Sequence, residues 1–455
     1  MKRKISSLVL VVMMLVMTVA GCGNNSASSS GSTVETAADK QGKVLNIYCW
    51  NTEFQDRFEY FKSTGKLPSD VTVNFVVTPN ENNAYQNALD AALLKQNEAP
   101  ADEKIDMFLI EADYALKYVD SDYTLNVNDI GLTKDDVKDQ YQYTQDIVTD
   151  KNGVLKGVTW QATPGLFVYR RSIAKDVLGT DDPDKVQAAL ATWDKFDSVA
   201  AQASSKGYKM LSGYDDSYRV FSNNVSAPWV DANNKIQIDP NIMKWVDQTK
   251  TYTDKNYNNK SKLWDTTWAA DQGPKGQVFG FFYSTWGINF TLLGNALETP
   301  EKEGGKQEVG NGIFGDYATC TGPQSYYWGG TWLCAAAGTD NANLVKDIMQ
   351  TLTCDATTMK KITEDTQDYT NTVSGMQSLA NSDFKSAFLG GQNHIKLFAE
   401  AAPKIDMKNM SAYDQGLNEE LQKAMHDYFD GKVTKEKALE NFYTAAIEKY
   451  PNLTK

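Results

Sequence analysis

Histidine is scarce in this chain of 455 residues, which contains only His394 and His426. So few imidazoles leave little material for histidine catalysis or for a histidine-ligated metal site. The short motifs of zinc proteases, serine hydrolases, P-loop enzymes and EF-hand proteins are also missing from the sequence. Gly310, Gly312 and Gly315 match the spacing GxGxxG, but the polar segment before them predicts no strand, so they do not indicate a dinucleotide site. We therefore expect no catalytic residues, no metal and no cofactor.

Positive charge is in short supply, because 45 lysines and arginines face 58 aspartates and glutamates, for a net charge of -13. This balance repels phosphate backbones, so we expect no nucleic-acid partner. Cysteines are few and form no CxxC pair: after Cys22 come Cys49, Cys320, Cys334 and Cys354. Whether Cys320 and Cys334 form a disulfide stays an open question. Four scattered cysteines make no disulfide scaffold, and we interpret these four as small buried residues.

Long apolar runs are limited to residues 8–20, a stretch too short to cross a bilayer as a mature helix. Because basic residues precede it at positions 2–4, residues 1–21 have the pattern of a lipoprotein signal peptide. The run ends in Val-Ala-Gly-Cys, which resembles the bacterial lipobox and predicts a lipid anchor on Cys22. Residues 22–43 are rich in serine, asparagine and glycine, as in a flexible tether. We expect the mature protein on the extracellular face of the bacterial cell membrane, attached only through the lipid on Cys22.

Aromatic residues, in contrast, are plentiful, with 10 tryptophans, 23 tyrosines and 18 phenylalanines. The composition, with 41% hydrophobic and 23% charged residues, is that of a globular protein, and the length predicts two domains or one large one. Part of the aromatic content belongs in a core. Flat aromatic rings also form the usual floor of a carbohydrate site, because sugar rings present apolar C–H faces.

From residue 44 onward, short apolar runs alternate with amphipathic segments. The pattern predicts strands and helices in alternation, at residues 44–50, 53–62, 71–77, 83–95 and 105–110. Such alternation builds a largely parallel sheet, so we expect an α/β fold. Ligands of these sheets bind at the carboxyl ends of the strands. Those ends are the loops at residues 51–53, 78–82 and 111–114.

The rest of the chain predicts a second region. Residues 158–169 predict two strands with a bend at Thr163 and Pro164, where proline interrupts the ladder, and they mark a candidate crossing between domains. The later pattern predicts strands at 209–212 and 278–283 and helices at 193–205, 243–252, 344–353 and, for the most part, 415–450.

Several segments, in this order, resemble one known family. They are the lipobox with its tether, NIYCWN, IDMFLIEAD, GVTWQATPGLFVYRR, KGQVFGFFYSTW, GIFGDYATCTGP and WGGTWLCAAAGTDNANLVKDIMQTLT. The chain is similar to the family 1 extracellular solute-binding proteins of carbohydrate ABC importers, which are related to maltose-binding protein. The resemblance covers essentially the whole mature chain, although residues 120–145 match nothing in the family pattern.

The resemblance implies an α/β fold with two periplasmic-binding-protein-like lobes (type II), each discontinuous in sequence and joined by a three-segment hinge. The N-terminal lobe is expected at 44–162 and 327–373, and the C-terminal lobe at 163–326 and 374–455. The crossings between them are expected near residues 161–164, 323–327 and 371–376. No catalytic role is implied.

The loops and the resemblance together predict a set of substrate-binding residues. Trp286 follows the strand of KGQVFGFFYSTW, the position at which the family carries a tryptophan that stacks on substrate. The full set of predicted site residues is Trp50, Asn51, Glu53, Asn82, Tyr85, Glu111, Asp113, Tyr114, Trp160, Gln161, Tyr169, Asp216, Tyr218, Trp229, Trp286 and Trp328. Four other tryptophans fall within helical patterns and are interpreted as packing residues: Trp193, Trp245, Trp264 and Trp268.

The sequence thus favours a membrane-anchored monomer that binds an oligosaccharide and delivers it to the permease subunits of an ABC importer. Two alternatives stay open at this point. One is a receptor for a non-sugar solute such as a peptide or polyamine, and the other is a surface glycoside hydrolase. Sugar identity, linkage and chain length depend on loop geometry. Clusters of asparagine and aspartate leave open whether a calcium ion is bound.

Overall fold

The computed structural model describes residues 42–455. The predicted signal peptide, the Cys22 anchor and nearly all of the tether lie outside the described residues. The strands are β1 (Val44–Cys49), β2 (Thr72–Val77), β3 (Met107–Glu111), β4 (Val158–Thr159), β5 (Gly165–Arg170), β6 (Gly280–Ser284), β7 (Tyr317–Cys320) and β8 (Thr331–Ala335).

The helices lie between and after these strands. They are α1 (Glu53–Ser63), α2 (Ala84–Leu93), α3 (Ala115–Val119), α4 (Gln142–Asp146), α5 (Arg171–Leu178), α6 (Pro183–Leu190), α7 (Trp193–Ser205), α8 (Tyr218–Ser222), α9 (Pro240–Asp254), α10 (Thr266–Asp271), α11 (Thr285–Gly287), α12 (Leu293–Ala296), α13 (Ala342–Thr353), α14 (Ala356–Thr366), α15 (Val373–Ala380), α16 (His394–Ala401), α17 (Asp414–Phe429) and α18 (Lys435–Lys449). Short 3₁₀ turns occur at Glu81–Asn83, Ala101–Glu103, Ala112–Tyr114, Val127–Ile130, Glu301–Glu303 and Ala402–Lys404, and a π turn at Ile288–Leu292.

The larger sheet has the strand order β2-β1-β3-β8-β4. Strand β1 runs parallel to β2 and β3, whereas β8 is antiparallel to β3 and β4. Helices α1 and α13 pack on one face of this sheet, and α2 and α3 pack on the other. Because both faces are covered at its centre, β3 reads as an almost continuous apolar run, MFLIE. The α/β architecture predicted from the alternation is confirmed. The expectation of a largely parallel sheet is wrong, because only the β1–β2 and β1–β3 pairs are parallel in the larger sheet.

The smaller sheet has the order β6-β5-β7 and is antiparallel throughout. Its central strand β5 is buried along its whole length, with helices α6 and α7 packed against the sheet. A further core forms where α8 and α9 pack against the C-terminal helices α17 and α18. The two sheets therefore have separate sets of covering helices.

The chain passes between the two sheets at segments that lie side by side. The Ala162 N–H donates to the Tyr369 carbonyl (3.2 Å), and the Gly165 N–H donates to the Tyr326 carbonyl (2.8 Å). Thr163 has a φ of 40°, which produces the bend between β4 and β5. Gly165 leaves room for Tyr326, since a Cβ atom there would lie 2.1 Å from the tyrosine ring. The three predicted crossings are thus neighbours, while the exact lobe boundaries stay a prediction.

Some local expectations differ from the structure. Residues 209–212 form no strand and contribute only a single bridge between Lys209 and Val278. Residues 120–145, which the resemblance left unplaced, contain the 3₁₀ turn Val127–Ile130 and helix α4. There, the Tyr143 hydroxyl donates to the Ala162 carbonyl, so this region supports the first crossing.

Candidate functional site

A cavity of about 450 Å³ opens at the edge of the larger sheet where β1, β2 and β3 end. Since β8 is antiparallel to β3, the residues just before β8 reach the same edge. Its walls are Trp50, Asn51, Glu53, Asn80, Glu111, Tyr114, Gln161, Trp264, Trp286, Phe290, Trp328, Gly329, Gly330, Thr331 and Gln415. The cavity therefore lies where ligands of open α/β sheets bind.

Aromatic side chains form one wall of this cavity. The rings of Trp264 and Trp286 are nearly parallel, with centroids 6.1 Å apart and an angle of 16°. Trp328 stands at 69° to Trp286, and the Trp286 Nε1–H donates to the Trp328 carbonyl (3.1 Å), which fixes the indole. Trp264 and Phe290 are 57% and 71% exposed, whereas most large apolar side chains of the described residues are buried. This wall offers flat apolar faces to a ligand.

The backbone around the aromatic wall has unusual conformations. Trp264 has a φ of 71°, a conformation that costs energy for any residue with a Cβ atom. Phe290 lies in the π turn Ile288–Leu292, and π turns are frequent at functional sites. Gly329 has a φ of 69°, and a Cβ atom there would lie 3.4 Å from Trp286 Nε1, inside the cavity. The chain thus tolerates local strain to present these surfaces.

Gln161 and Glu53 form a fixed polar edge. The Gln161 Nε2 donates to Glu53 Oε1 (2.9 Å) and Asp368 Oδ2 (3.0 Å), and its Oε1 accepts from the Thr331 N–H (3.1 Å). Burial raises the pKa of Glu53 to about 7, while Arg57 opposes this shift and Asp368 adds to it. The orientation of the amide is therefore set before a ligand arrives.

Glu111 provides the second carboxyl group of the cavity. Its Oε2 accepts from the Asp113 N–H (2.8 Å). Burial, together with repulsion from Asp113, raises the pKa of Glu111 to about 8, although the Arg219 guanidinium opposes the shift. Near neutral pH this group therefore changes between a hydrogen-bond donor and an anion.

Two polar atoms of the lining are buried without a hydrogen-bond partner among residues 42–455: the Tyr114 hydroxyl and Asn80 Oδ1. Tyr114 is only 6% exposed, and burial raises its pKa well above the usual range, so its hydroxyl stays protonated. Buried polar groups in proteins nearly always have partners. Both residues belong to the cavity wall, but neither of these two atoms is itself exposed to the cavity.

The structure brings one group of the predicted site residues to the cavity. These residues are Trp50, Asn51, Glu53, Glu111, Tyr114, Gln161, Trp286 and Trp328. Most of them follow strands of the larger sheet, and Trp286 follows β6 of the smaller one. Their role in binding stays a prediction.

Other predicted site residues lie in the core instead. Trp160 is fully buried and stacks on Phe54, with ring centroids 5.5 Å apart. Tyr85 is buried beneath the sheet edge, where its hydroxyl donates to the Leu109 carbonyl (2.6 Å). Tyr169 is likewise fully buried, and its hydroxyl donates to the Asp181 carbonyl (2.9 Å). Since each side chain is enclosed by protein, none of them reaches the cavity.

Three more predicted residues, all in the second region of the chain, have structural partners. Asp216 accepts from the Ser212 and Gly213 N–H groups and from the Trp268 Nε1–H. The Tyr218 hydroxyl and the Trp229 Nε1–H both donate to Asn418 Oδ1. They are consequently held inside the smaller sheet's part of the molecule, away from the lining of the cavity.

Asn82 and Asp113 lie near the cavity but not in its lining. Asn82 is exposed in the 3₁₀ turn Glu81–Asn83, and its neighbour Asn80 lines the cavity instead. Asp113 forms a two-pronged ion pair with Arg219, in which Oδ1 and Nη1 are 2.6 Å apart. The Asp113 carboxylate, which the sequence predicts to bind a ligand, is therefore already bonded to Arg219.

Several lining residues were missed by sequence reasoning, chiefly Asn80, Trp264, Phe290 and Gln415. Trp264 was interpreted as a packing residue of a helix. A signal against that interpretation is present in the sequence, because Asp265 is a preferred N-cap residue and its carboxylate accepts from the Trp268 N–H (2.7 Å). A helix capped at Asp265 leaves Trp264 outside it.

Neither a membrane-spanning helix nor a metal-binding cluster is found in residues 42–455. No helix in this part of the chain is both long and apolar enough to cross a bilayer. Within the same range, no three histidine, cysteine, aspartate or glutamate side chains are grouped to hold a metal ion. The four cysteines there are free, and Cys354 alone among them is partly exposed.

Comparison with solved structures shows what this fold is similar to. A crystal structure of an extracellular solute-binding protein of family 1 matches with a TM-score of 0.72 and 16% identity, over 89% of this chain and 99% of that one. The ABC transporter-associated binding protein of B. animalis subsp. lactis, in complex with β-1,6-galactobiose, has a TM-score of 0.66 and 14% identity, over 91% and 99%. The sugar-binding protein MalE of Xanthomonas citri has a TM-score of 0.66 and 13% identity, over 89% and 96%.

These matches show the two-lobed fold of periplasmic binding proteins across nearly the whole chain. The search of curated proteins finds no match. The family model described as bacterial extracellular solute-binding protein matches residues 56–388, which is most of the chain. The resemblance noted in the sequence is thereby confirmed, and the chain belongs to the bacterial extracellular solute-binding proteins.

Proposed function

We propose that this protein is the saccharide receptor of an ABC importer, and that it binds an oligosaccharide in the cavity described above. The aromatic wall made by Trp264, Trp286 and Phe290 carries this proposal, because parallel indole faces suit the apolar faces of sugar rings. Carboxyl and amide groups on the facing edge suit the hydroxyl groups of the same rings. No chemical step is proposed.

The similar structures support the same conclusion. The matched protein of B. animalis subsp. lactis was solved with β-1,6-galactobiose, and that of Xanthomonas citri is named a sugar-binding protein. A cavity of about 450 Å³ is large enough for more than one sugar unit. We therefore favour a disaccharide or a short oligosaccharide over a monosaccharide.

A thermal-shift panel with the purified protein tests this function. The panel contains the disaccharides maltose, cellobiose, lactose and β-1,6-galactobiose. For each of them it also contains a trisaccharide that is longer by one sugar unit. Spermidine and a tripeptide complete the panel. We expect saturable stabilisation by one saccharide class, with a gain of about 2.7 kcal/mol at a hundredfold excess over Kd. The polyamine is the second candidate, because Glu53 and Glu111 both line the cavity. A response to spermidine alone would assign the protein to that class of receptor.

We further propose that the protein is a monomeric lipoprotein on the extracellular face of the cell membrane and that its closed form docks on the permease. The pattern ending in Cys22 supports the anchor. Replacement of Cys22 with serine should move the protein from the membrane fraction to the medium, as measured by fractionation and by labelling with an alkyne fatty acid. The variant Cys354→Ser, which changes a distant thiol, should stay on the membrane. Retention of the Cys22→Ser protein on membranes would contradict the anchor.

A further inference from the structure

The cavity has only carboxyl groups as its charged lining. Glu53 and Glu111 are both present, whereas no lysine, arginine or histidine of residues 42–455 is part of the wall. The two nearest guanidinium groups are already bonded, Arg57 to Glu53 Oε1 (3.3 Å) and Arg219 to Asp113 Oδ1 (2.6 Å). No cation of the wall is therefore available to pair with a negative ligand.

The two carboxyl groups also keep free oxygen atoms. Glu53 Oε1 and Glu111 Oε2 accept hydrogen bonds, but Glu53 Oε2 and Glu111 Oε1 accept none from residues 42–455. Hydroxyl groups of an uncharged sugar can donate to these oxygens. A ligand carboxylate, phosphate or sulfate can donate to none of them.

We infer, given the saccharide function proposed above, that this cavity selects uncharged saccharides and excludes acidic ones such as uronic acids. An anionic substituent placed among these side chains meets like charges in a partly dry space, where repulsion is much stronger than in water. This repulsion is reduced only when a glutamate takes up a proton. This charge selection narrows the substrate class within the oligosaccharides.

The selection should depend on pH, because burial raises the pKa of Glu53 to about 7 and of Glu111 to about 8. The charged groups around Glu53 are Arg57, Asp56 and Asp368, and those around Glu111 are Asp113, Arg219 and Glu419. An anionic ligand favours the protonated glutamates, so its affinity falls as the pH rises through these values. The affinity of an uncharged ligand should change much less with pH.

The test compares three disaccharides of the panel with the same disaccharides oxidised to a uronate at C6 of the non-reducing unit. Isothermal titration of the purified protein with maltose, cellobiose and lactose, and with their uronates, is repeated at pH 5.5, 7 and 8.5. The variant Glu111→Gln removes one carboxylate of the lining. The variant Glu103→Gln removes one exposed carboxylate of the turn before β3, at the opposite edge of the sheet, and serves as the matched control.

We expect each uronate to bind at least 30-fold more weakly than its neutral partner at pH 8.5, where both glutamates are mostly ionised, with a smaller ratio at pH 7 and the smallest at pH 5.5. Glu111→Gln should reduce the ratio at pH 8.5 about tenfold, and Glu103→Gln should leave it unchanged. A uronate that binds as tightly as its neutral partner, or that binds alone, overturns the charge selection and leaves the saccharide function standing. Silence from every saccharide of the full panel and from the three uronates overturns both.

Discussion

Replacement of Trp264 with glycine should lower saccharide affinity about 30-fold, a loss of about 2 kcal/mol that is typical of an aromatic anchor in a binding site. The same replacement should cost less stability than replacement with alanine. Trp264 is 57% exposed on the cavity wall and stacks on Trp286. It therefore contributes more surface to a ligand than to the core.

The difference between glycine and alanine follows from the backbone. Trp264 has a φ of 71°, in the left-handed region that L-residues with a Cβ atom avoid. Alanine keeps that cost and glycine removes it, so the glycine variant should be more stable than the alanine variant by about 1 kcal/mol. Both variants lack the indole, and their affinities should be equal.

Chemical denaturation and titration with the saccharide found in the panel measure the two effects separately. Val309→Ala is the matched control, because Val309 is 80% exposed and does not line the cavity. It should leave the affinity unchanged. Full affinity in both Trp264 variants would show that sugar stacking takes place on another surface. An alanine variant as stable as the glycine variant would show that the left-handed conformation at this position carries no cost.

The positions of the loops at the strand ends could be predicted from the sequence, because the carboxyl ends of parallel strands lie at the same edge of a sheet. Asn51, Glu53 and Tyr114 follow strands whose apolar runs are plain in the sequence, Glu111 is the last residue of such a strand, and all four line the cavity. A choice between neighbours needed the structure. The sequence predicts both Trp160 and Gln161 as site residues, but adjacent residues of an extended segment point in opposite directions. Gln161 faces the cavity and Trp160 faces the core.

Contacts between distant parts of the chain left no local signal. Nothing in the sequence around Asp113 indicates that its carboxylate pairs with Arg219, a residue 106 positions away. The same holds for Gln415, which lines the cavity from the start of α17. Local patterns therefore predicted the residues at the sheet edge. The part of the cavity wall that comes from the second region of the chain could not be predicted in this way, because it depends on how the helices pack.

Replacement of Asp113 with asparagine should lower the free energy of unfolding by about 3 kcal/mol, because it leaves the buried Arg219 charge without its partner. The two side chains are only 17% and 19% exposed. Asp113 follows β3 of the larger sheet, and Arg219 lies in α8, between β5 and β6 of the smaller sheet in sequence. The ion pair thus joins parts of the molecule that belong to different sheets.

The same replacement should also weaken saccharide binding about tenfold, although neither residue lines the cavity. A ligand that binds between two lobes relies on every contact that favours the closed arrangement. With the predicted lobe boundaries, Asp113 and Arg219 lie in different lobes, so loss of the ion pair should remove one of those contacts and part of the binding energy should be spent on closing the lobes. Denaturation with urea and titration with the panel saccharide give the two values.

A double variant separates the buried charge from the link between the lobes. In Asp113→Asn combined with Arg219→Gln, both charges of the pair are gone, so most of the stability should return while the affinity stays low. Glu59→Gln is the control, since the pair of Glu59 with Lys62 is exposed and its loss should change stability by at most about 0.5 kcal/mol. Affinity that returns together with stability would contradict a role in closure. It would leave the ion pair with a purely structural part in the fold.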